Sequence, residues 1–169
     1  MITPYLGLAA ITHMIMELQC LVWAQALLDI VYHTMSQFDL ENGGSPCDSN
    51  QPLFQFVAGS LAVEQGKDTQ DTQTFLIEDL ILEDCEGRFQ KYLNNASLIP
   101  CTFPENDLEN VEQAKFLAFT QHVQYWKTNK LVFVADYQGE YFKCWNYASV
   151  PRLFLKFFLF ILSSALIVF

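Results

Sequence analysis

The chain has 169 residues, of which 51% are hydrophobic and 15% aromatic, so it can bury the core of one folded domain. Nineteen acidic and nine basic residues give a formal net charge of -10, which disfavours binding to nucleic acid or anionic lipid, because both need clustered Lys and Arg. The five cysteines are far apart and form no C-x-x-C pair, so we expect no disulfide framework and a reduced, cytoplasmic compartment.

The first long element that the sequence predicts is an amphipathic helix over residues 17–38, because apolar side chains recur there at helical spacing. The side chains expected on its buried face are Leu18, Leu21, Val22, Leu28, Tyr32 and Met35. A loop follows at Asn42 to Pro46, where Gly and Pro interrupt regular structure. Residues 1–16 are apolar, but no basic residue precedes them, so they are not expected to be a signal peptide.

A β-rich region is expected next. Residues 53–63 are apolar and β-prone at first and then ambiguous, and the polar stretch from Glu64 to Thr74 indicates a solvated loop. The apolar run from Phe75 to Leu82 predicts a strand. Because Gly87 allows a turn, Arg88 to Leu93 is expected to return as the second strand of a hairpin.

A second helix and a strand are predicted after Pro100 and Pro104. Asp107 can cap a helix that runs to about Trp126. Its expected buried stripe consists of Phe116, Phe119, Val123 and Trp126. After a turn, Leu131 to Ala135 is a compact apolar run, which predicts a buried strand ending at Asp136-Tyr137-Gln138-Gly139.

The last segment, residues 153–169, is apolar except for Lys156, Ser163 and Ser164. As a helix it would span about 25 Å at roughly 1.5 Å per residue, slightly less than the bilayer core of about 30 Å. One interpretation is a C-terminal membrane anchor, with Arg152 favouring the cytoplasmic side. The alternative is a fortuitous apolar sequence without an anchoring role.

The end of the predicted strand at Asp136 is the best candidate for chemistry. If the backbone stays extended, Asp136 and Gln138 point to the same side. A carboxylate and an amide oxygen on one face suit a magnesium ion or the positioning of a hydroxyl nucleophile. The alternative from these residues alone is structural: Asp136 caps a turn and Gly139 ends a strand.

The stretch from Phe116 to Gly139 resembles the catalytic-loop region of the alpha-type protein kinases, an atypical family, and most of all its fungal members. In that family a helix with an Ala-Phe pair and a His leads to an apolar strand that ends in Asp-x-Gln-Gly. The matching residues here are Ala118-Phe119, His122, Leu131 to Ala135 and Asp136-Tyr137-Gln138-Gly139. The resemblance implies that Asp136 is the catalytic Asp and Gln138 a magnesium ligand. From its own position, His122 is more simply interpreted as a buried or half-buried structural residue.

A second stretch, Phe75 to Ile81 followed by Gly87 to Asn95, is similar to the hinge of the same family. There a strand ends in an apolar-Glu pair under the adenine and runs into a Gly-x-Phe-x-Lys-Tyr-x-Asn-Asn segment. The cofactor-binding residues that this resemblance implies are Glu78, Lys91, Asn94 and Asn95.

The resemblance implies an α+β fold with a kinase-like two-lobe plan: a small-lobe helix and sheet, a hinge, and the start of the larger lobe. Residues 17–139 would form this partial kinase domain, 140–152 an unmatched linker, and 153–169 an apolar C-terminal helix. The implied reaction is transfer of the γ-phosphoryl group of ATP, with magnesium, to Ser or Thr of a protein substrate.

Several parts of the family pattern have no match in this sequence. No Lys or Arg occurs before Lys67 to hold the α- and β-phosphates, and the residues after Gly139 do not match the segment with the second magnesium Asp. The family's structural zinc site, of one His and three Cys, is also unmatched. We therefore expect an incomplete catalytic domain with impaired activity. The alternative is a non-catalytic pseudokinase or binding fragment, associated with a membrane through residues 153–169.

Overall fold

The computed structural model describes residues 5–44, 53–64, 73–79, 89–94, 99–142 and 152–161. In these residues the chain forms two helices and two small sheets, so the expected α+β class is confirmed. The kinase-like two-lobe plan stays a prediction. The elements are β1 (Tyr5–Leu6), α1 (Gly7–Glu41), β2 (Leu53–Phe56), β3 (Gly59–Val63), β4 (Gln73–Glu78), β5 (Gln90–Lys91), α2 (Leu108–Lys127), β6 (Val132–Phe142) and β7 (Arg152–Ile161).

The helix predicted at residues 17–38 is present and longer, since α1 extends from Gly7 to Glu41. Its buried side packs on α2, β2, β3 and β4. The opposite side is also apolar, because Val22 is 61% exposed and Trp23 is 55% exposed, so Val22 is not on the buried face as expected. By length and composition Ala9–Glu41 could cross a membrane, although core helices of soluble proteins meet the same criteria.

The first sheet has the strand order β1-β4-β3 and is antiparallel. A Cβ added to Gly59 in β3 would lie 2.6 Å from Leu21 Cδ1 of α1, so a larger residue at this close approach would force the Leu21 side chain to move. The predicted hairpin between Phe75 to Leu82 and Arg88 to Leu93 is wrong. β4 pairs instead with β3 along its length, and β5 pairs with β6 in the other sheet, because those partners satisfy the backbone groups.

The second sheet has the order β2-β7-β6-β5. β7 lies between β2, which is parallel to it, and β6, which is antiparallel. The prediction of an apolar C-terminal helix is therefore wrong for Arg152–Ile161. A strand that is paired on both edges can carry a continuous apolar run, and periodicity alone does not distinguish such a run from an apolar helix. Residues 162–169 of the predicted anchor lie outside the described residues.

The core lies between the two helices and the second sheet. Phe54 of β2 stacks on Phe116 of α2, with ring centroids 5.1 Å apart. Polar side chains of α1 also satisfy the backbone of β2: Phe54 N donates to Tyr32 Oη at 2.8 Å, and Phe56 N donates to Gln25 Oε1 at 3.1 Å. The fully or nearly buried members of the core are Ala24, Leu27, Leu28, Phe54, Phe56, Tyr92, Leu93, Ala114, Leu117, Val132, Val134 and Tyr137.

The second helix begins as expected at the N-cap Asp107 and ends at Lys127. Its buried face differs from the predicted stripe. Val123 is buried, but Phe119 is 46% exposed and Trp126 is 68% exposed. The buried positions include the polar residues Gln113, Thr120, Gln121 and Gln124. The expected apolar stripe is thus partly replaced by polar side chains, of which Thr120, Gln121 and Gln124 bond to β6.

Candidate functional site

The two family-like segments are joined at the edge of the second sheet. β5 pairs with β6 in the register Gln90 to Gly139 and Lys91 to Gln138. Immediately after β5, the backbone N–H groups of Tyr92 and Leu93 both donate to the carbonyl oxygen of Tyr137, at 2.8 and 3.2 Å. Segments that are far apart in sequence therefore meet through backbone hydrogen bonds, which place Lys91 beside the Asp-x-Gln-Gly residues.

An ion pair connects the same two segments. Lys91 Nζ lies 2.5 Å from Asp136 Oδ1, and the side chains of Lys91 and Asp136 are 44% and 6% exposed. Although the charges are close, Oδ1 makes no hydrogen bond of acceptable angle among the described residues. We interpret the contact as charge compensation of a buried carboxylate without aligned hydrogen bonding. Solvent reaches this pair from the lysine side.

The backbone at Asp136 is not extended, so the condition under which Asp136 and Gln138 were expected to point to the same side is not met. The φ of Asp136 is 55°, which is left-handed, and a β-bulge separates Ala135 from Gln138 in the pairing with β7. Such a conformation costs about 1–3 kcal/mol in a non-glycine residue and persists only where the surroundings enforce it. β6 continues through the motif to Phe142, so it does not end at Asp136 as predicted. The alternative, in which Asp136 caps a turn and Gly139 ends a strand, is also wrong, because the strand continues past Gly139.

Gln138 lies in the centre of a cross-strand row. It is partly buried and opposes Lys91 of β5 on one side and Lys156 of β7 on the other. The backbone register therefore places one basic residue on each side of Gln138.

Tyr137 anchors the bulge in the core. Its side chain is fully buried, and its ring stacks on Phe56 with centroids 6.0 Å apart. Its hydroxyl lies 3.2 Å from Thr120 Oγ1 and accepts from Gln124 Nε2 at 3.1 Å. Burial raises the pKa of Tyr137 to about 12, although the hydrogen bonds from Thr120 and Gln124 lower it in part. The hydroxyl therefore stays protonated at neutral pH and can donate a hydrogen bond.

Tyr92 anchors the β5 side in the same way. Its hydroxyl bonds to Asn110 Oδ1 at 3.1 Å and to Gln113 Oε1 at 2.8 Å, both on α2. Burial, followed by the charges of Asp107 and Glu109, raises the pKa of Tyr92. Both segments of the site are thus held by tyrosines that reach polar groups of one helix.

The other predicted site residues are not brought to this place. Glu78 ends β4 in the first sheet, opposite Gly59, and among these described strands no Cα of β4 lies within 8 Å of a Cα of β5 or β6. Asn94 is exposed, and its Nδ2 lies 3.6 Å from Cys101 Sγ. Asn95 lies outside the described residues. His122 is exposed, so its expected burial is wrong.

No signal in the sequence pointed to Gln121 and Gln124 as part of the site. Gln121 Nε2 donates to Val134 O at 2.8 Å, and Val134 N donates to Gln124 Oε1 at 3.0 Å. These amides bond to the backbone of β6 at Val134, whereas β5 pairs with β6 further along, at Gln138 and Gly139. Only knowledge that this edge faces α2 would have identified them, because glutamine on a helix is ordinarily a surface residue.

No family model, curated protein or solved structure matches the chain. The likeness to alpha-type kinases therefore rests on the motif residues themselves. Within the described part of the chain, no group of three or more His, Cys, Asp or Glu could hold a metal ion. Asp136 and Gln138 offer a carboxylate and an amide oxygen, which suit magnesium when phosphates and water supply the remaining ligands.

Proposed function

We propose that the junction of β5 and β6 binds the phosphates of magnesium-ATP, as part of an alpha-type protein serine/threonine kinase domain that is impaired in this chain. The observation that supports this most is the Lys91–Asp136 pair, with Gln138 opposite Lys91. It brings together residues from both family-like motifs.

Each residue has a role in this proposal. Lys91 supplies positive charge to the phosphoryl oxygens, and Asp136 orients the attacking hydroxyl of the protein substrate once Lys91 turns towards phosphate. Gln138 offers an amide oxygen beside them. Magnesium, when bound, neutralises charge on the phosphates. Because the side chain of Lys91 is 44% exposed, it can shift towards a ligand while Asp136 stays fixed.

Two features support weak activity. The sequence has no Lys or Arg before Lys67 to hold further phosphate oxygens, and Glu78 lies in the other sheet from Asp136. Missing charge contacts each cost several kcal/mol of transition-state stabilisation, and every 1.4 kcal/mol is about tenfold in rate. We expect turnover of a basic protein substrate far below the roughly 1 per second of ordinary kinases.

A non-catalytic binding role is the second candidate. The observation that favours it is the same ion pair, because Lys91 already neutralises Asp136 and the pair links β5 to β6 as a structural contact would. In that case the pair needs no nucleotide, and ATP has no effect on the protein.

Thermal unfolding with and without magnesium-ATP separates the two proposals. A ligand at 100 times its Kd stabilises by about 2.7 kcal/mol, so the wild-type chain should melt at a higher temperature with the nucleotide. Asp136→Asn and Lys91→Met should lose most of that shift. Lys115→Met is the matched control, because Lys115 forms an exposed pair with Glu112 at 2.9 Å on α2. No shift in the wild-type chain, or equal shifts in all variants, refutes nucleotide binding at this site.

A further inference from the structure

One buried side chain of α2 spans the bulge that carries Asp136. Gln124 accepts a hydrogen bond from Val134 N at 3.0 Å, and its Nε2 donates to Tyr137 Oη at 3.1 Å. Val134 lies two residues before Asp136, and Tyr137 directly follows Asp136. The oxygen and the nitrogen of one planar amide thus hold the chain on both sides of the left-handed residue.

On the edge of β6 that faces α2, β5 pairs only with Gln138 and Gly139 among the described strands, and the N–H groups of Tyr92 and Leu93 then donate to Tyr137 O. Before Tyr137, this edge is held at Val134 by side chains of α2 and not by a strand. A left-handed non-glycine residue persists only when its surroundings over-determine it. Gln124 supplies two fixed points, and the stacking of Tyr137 on Phe56 makes the second point rigid.

We infer that Gln124 is a positioning residue, which sets the left-handed conformation of Asp136 and so directs its carboxylate at Lys91. The consequence for phosphate binding rests on the proposed function, whereas the geometric part does not. Because Gln124 is fully buried and touches neither Lys91 nor Asp136 through any described hydrogen bond, it acts only through β6.

The chain offers a matched control in Gln121. It lies on the same helix, is 3% exposed, and also bonds to β6, but only to Val134 O on one side of the bulge. Gln121→Met and Gln124→Met each remove the hydrogen bonds of a buried amide at nearly constant volume. General destabilisation affects both variants, whereas loss of the bulge geometry is expected only for Gln124→Met.

The test is nuclear magnetic resonance of the isotope-labelled full chain, with the one-bond Cα–Hα coupling of Asp136 as the readout, since this coupling differs between left-handed and ordinary backbone. We expect the left-handed value in the wild type and in Gln121→Met. In Gln124→Met the coupling should shift to that of a residue with negative φ. A folded Gln124→Met chain that keeps the wild-type coupling overturns the inference.

A milder variant keeps the inference falsifiable if Gln124→Met does not fold. Tyr137→Phe removes only the hydroxyl at the second fixed point and keeps the bond from Val134 N to Gln124. The Asp136 coupling should again shift, and an unchanged coupling overturns the inference.

The same samples are titrated with magnesium-ATP to separate this inference from the proposed function. We expect Gln124→Met to bind at least about tenfold more weakly than wild type, since small misplacements of a site have large effects. If the coupling shifts but the wild type does not bind, positioning stands and the proposed function fails. If wild type and Gln124→Met bind equally with equal couplings, positioning fails and the proposed function stands.

Discussion

Replacing Lys91 with Met should destabilise the chain more than replacing Asp136 with Asn. The side chain of Asp136 is only 6% exposed, so without Lys91 its carboxylate stays buried without a compensating charge. Breaking a fully buried pair costs about 3–5 kcal/mol, and an exposed pair contributes about 0–1 kcal/mol. Because the side chain of Lys91 is 44% exposed, an intermediate cost of about 2 kcal/mol is expected for Lys91→Met.

Replacing Asp136 with Asn instead leaves Lys91 free to extend its ammonium group into water. We therefore expect Asp136→Asn to cost about 1 kcal/mol or less. The double variant should cost less than the sum of the two, with a coupling of about 1–2 kcal/mol. Urea unfolding of the four chains gives these free energies, provided that the slopes agree. Additive effects, or a larger cost for Asp136→Asn, would refute the view that Lys91 compensates a buried charge.

Three further predictions follow from the fold. Gly59→Ala should cost about 1 kcal/mol in urea unfolding, because the new methyl group would meet Leu21 Cδ1 at 2.6 Å and force that side chain to move; an unchanged midpoint would show that the packing of Leu21 on β3 does not contribute to stability. Burial raises the pKa of Tyr137 to about 12 from an ordinary 10. Its contribution to stability is complete below pH 10 and is lost as the pH rises through about 12, so the wild type should lose more stability over that window than Tyr137→Phe; identical pH profiles would contradict this. Deleting residues 153–169 should unfold or aggregate the chain, because β7 lies between β2 and β6; a soluble product with an unchanged far-ultraviolet dichroism spectrum per residue would show that the sheet does not need β7.

Local signals predicted the helices well. Asp107 caps α2 as expected, and α1 covers the predicted residues 17–38. Strand pairing was predicted less well, because the partner of a strand is set by contacts far away in sequence. β4 has Gly59–Val63 as its partner, whereas its expected partner, around Gln90, pairs with residues near Gly139.

The buried face of α2 shows a second limit. An apolar stripe was expected because hydrophobic spacing is the usual signal for burial. The helix instead lies against an edge of β6 whose backbone groups need partners, so Gln121 and Gln124 are buried and Phe119 is exposed. That exchange follows from the pairing of β6, which is visible only in the folded chain. For the candidate site, the motifs selected Lys91, Asp136 and Gln138, whereas the proximity of these residues depends on the register of β5 with β6.

The tail bears directly on the site. Residues 152–161 lie beyond the stretch that resembles a kinase, yet they pair with β6 from Val132 opposite Ile161 to Phe142 opposite Arg152. The register also places Lys156 opposite Gln138, in the same row as Lys91. An interpretation of the tail as a dispensable extension is therefore hard to combine with the sheet that carries Asp136.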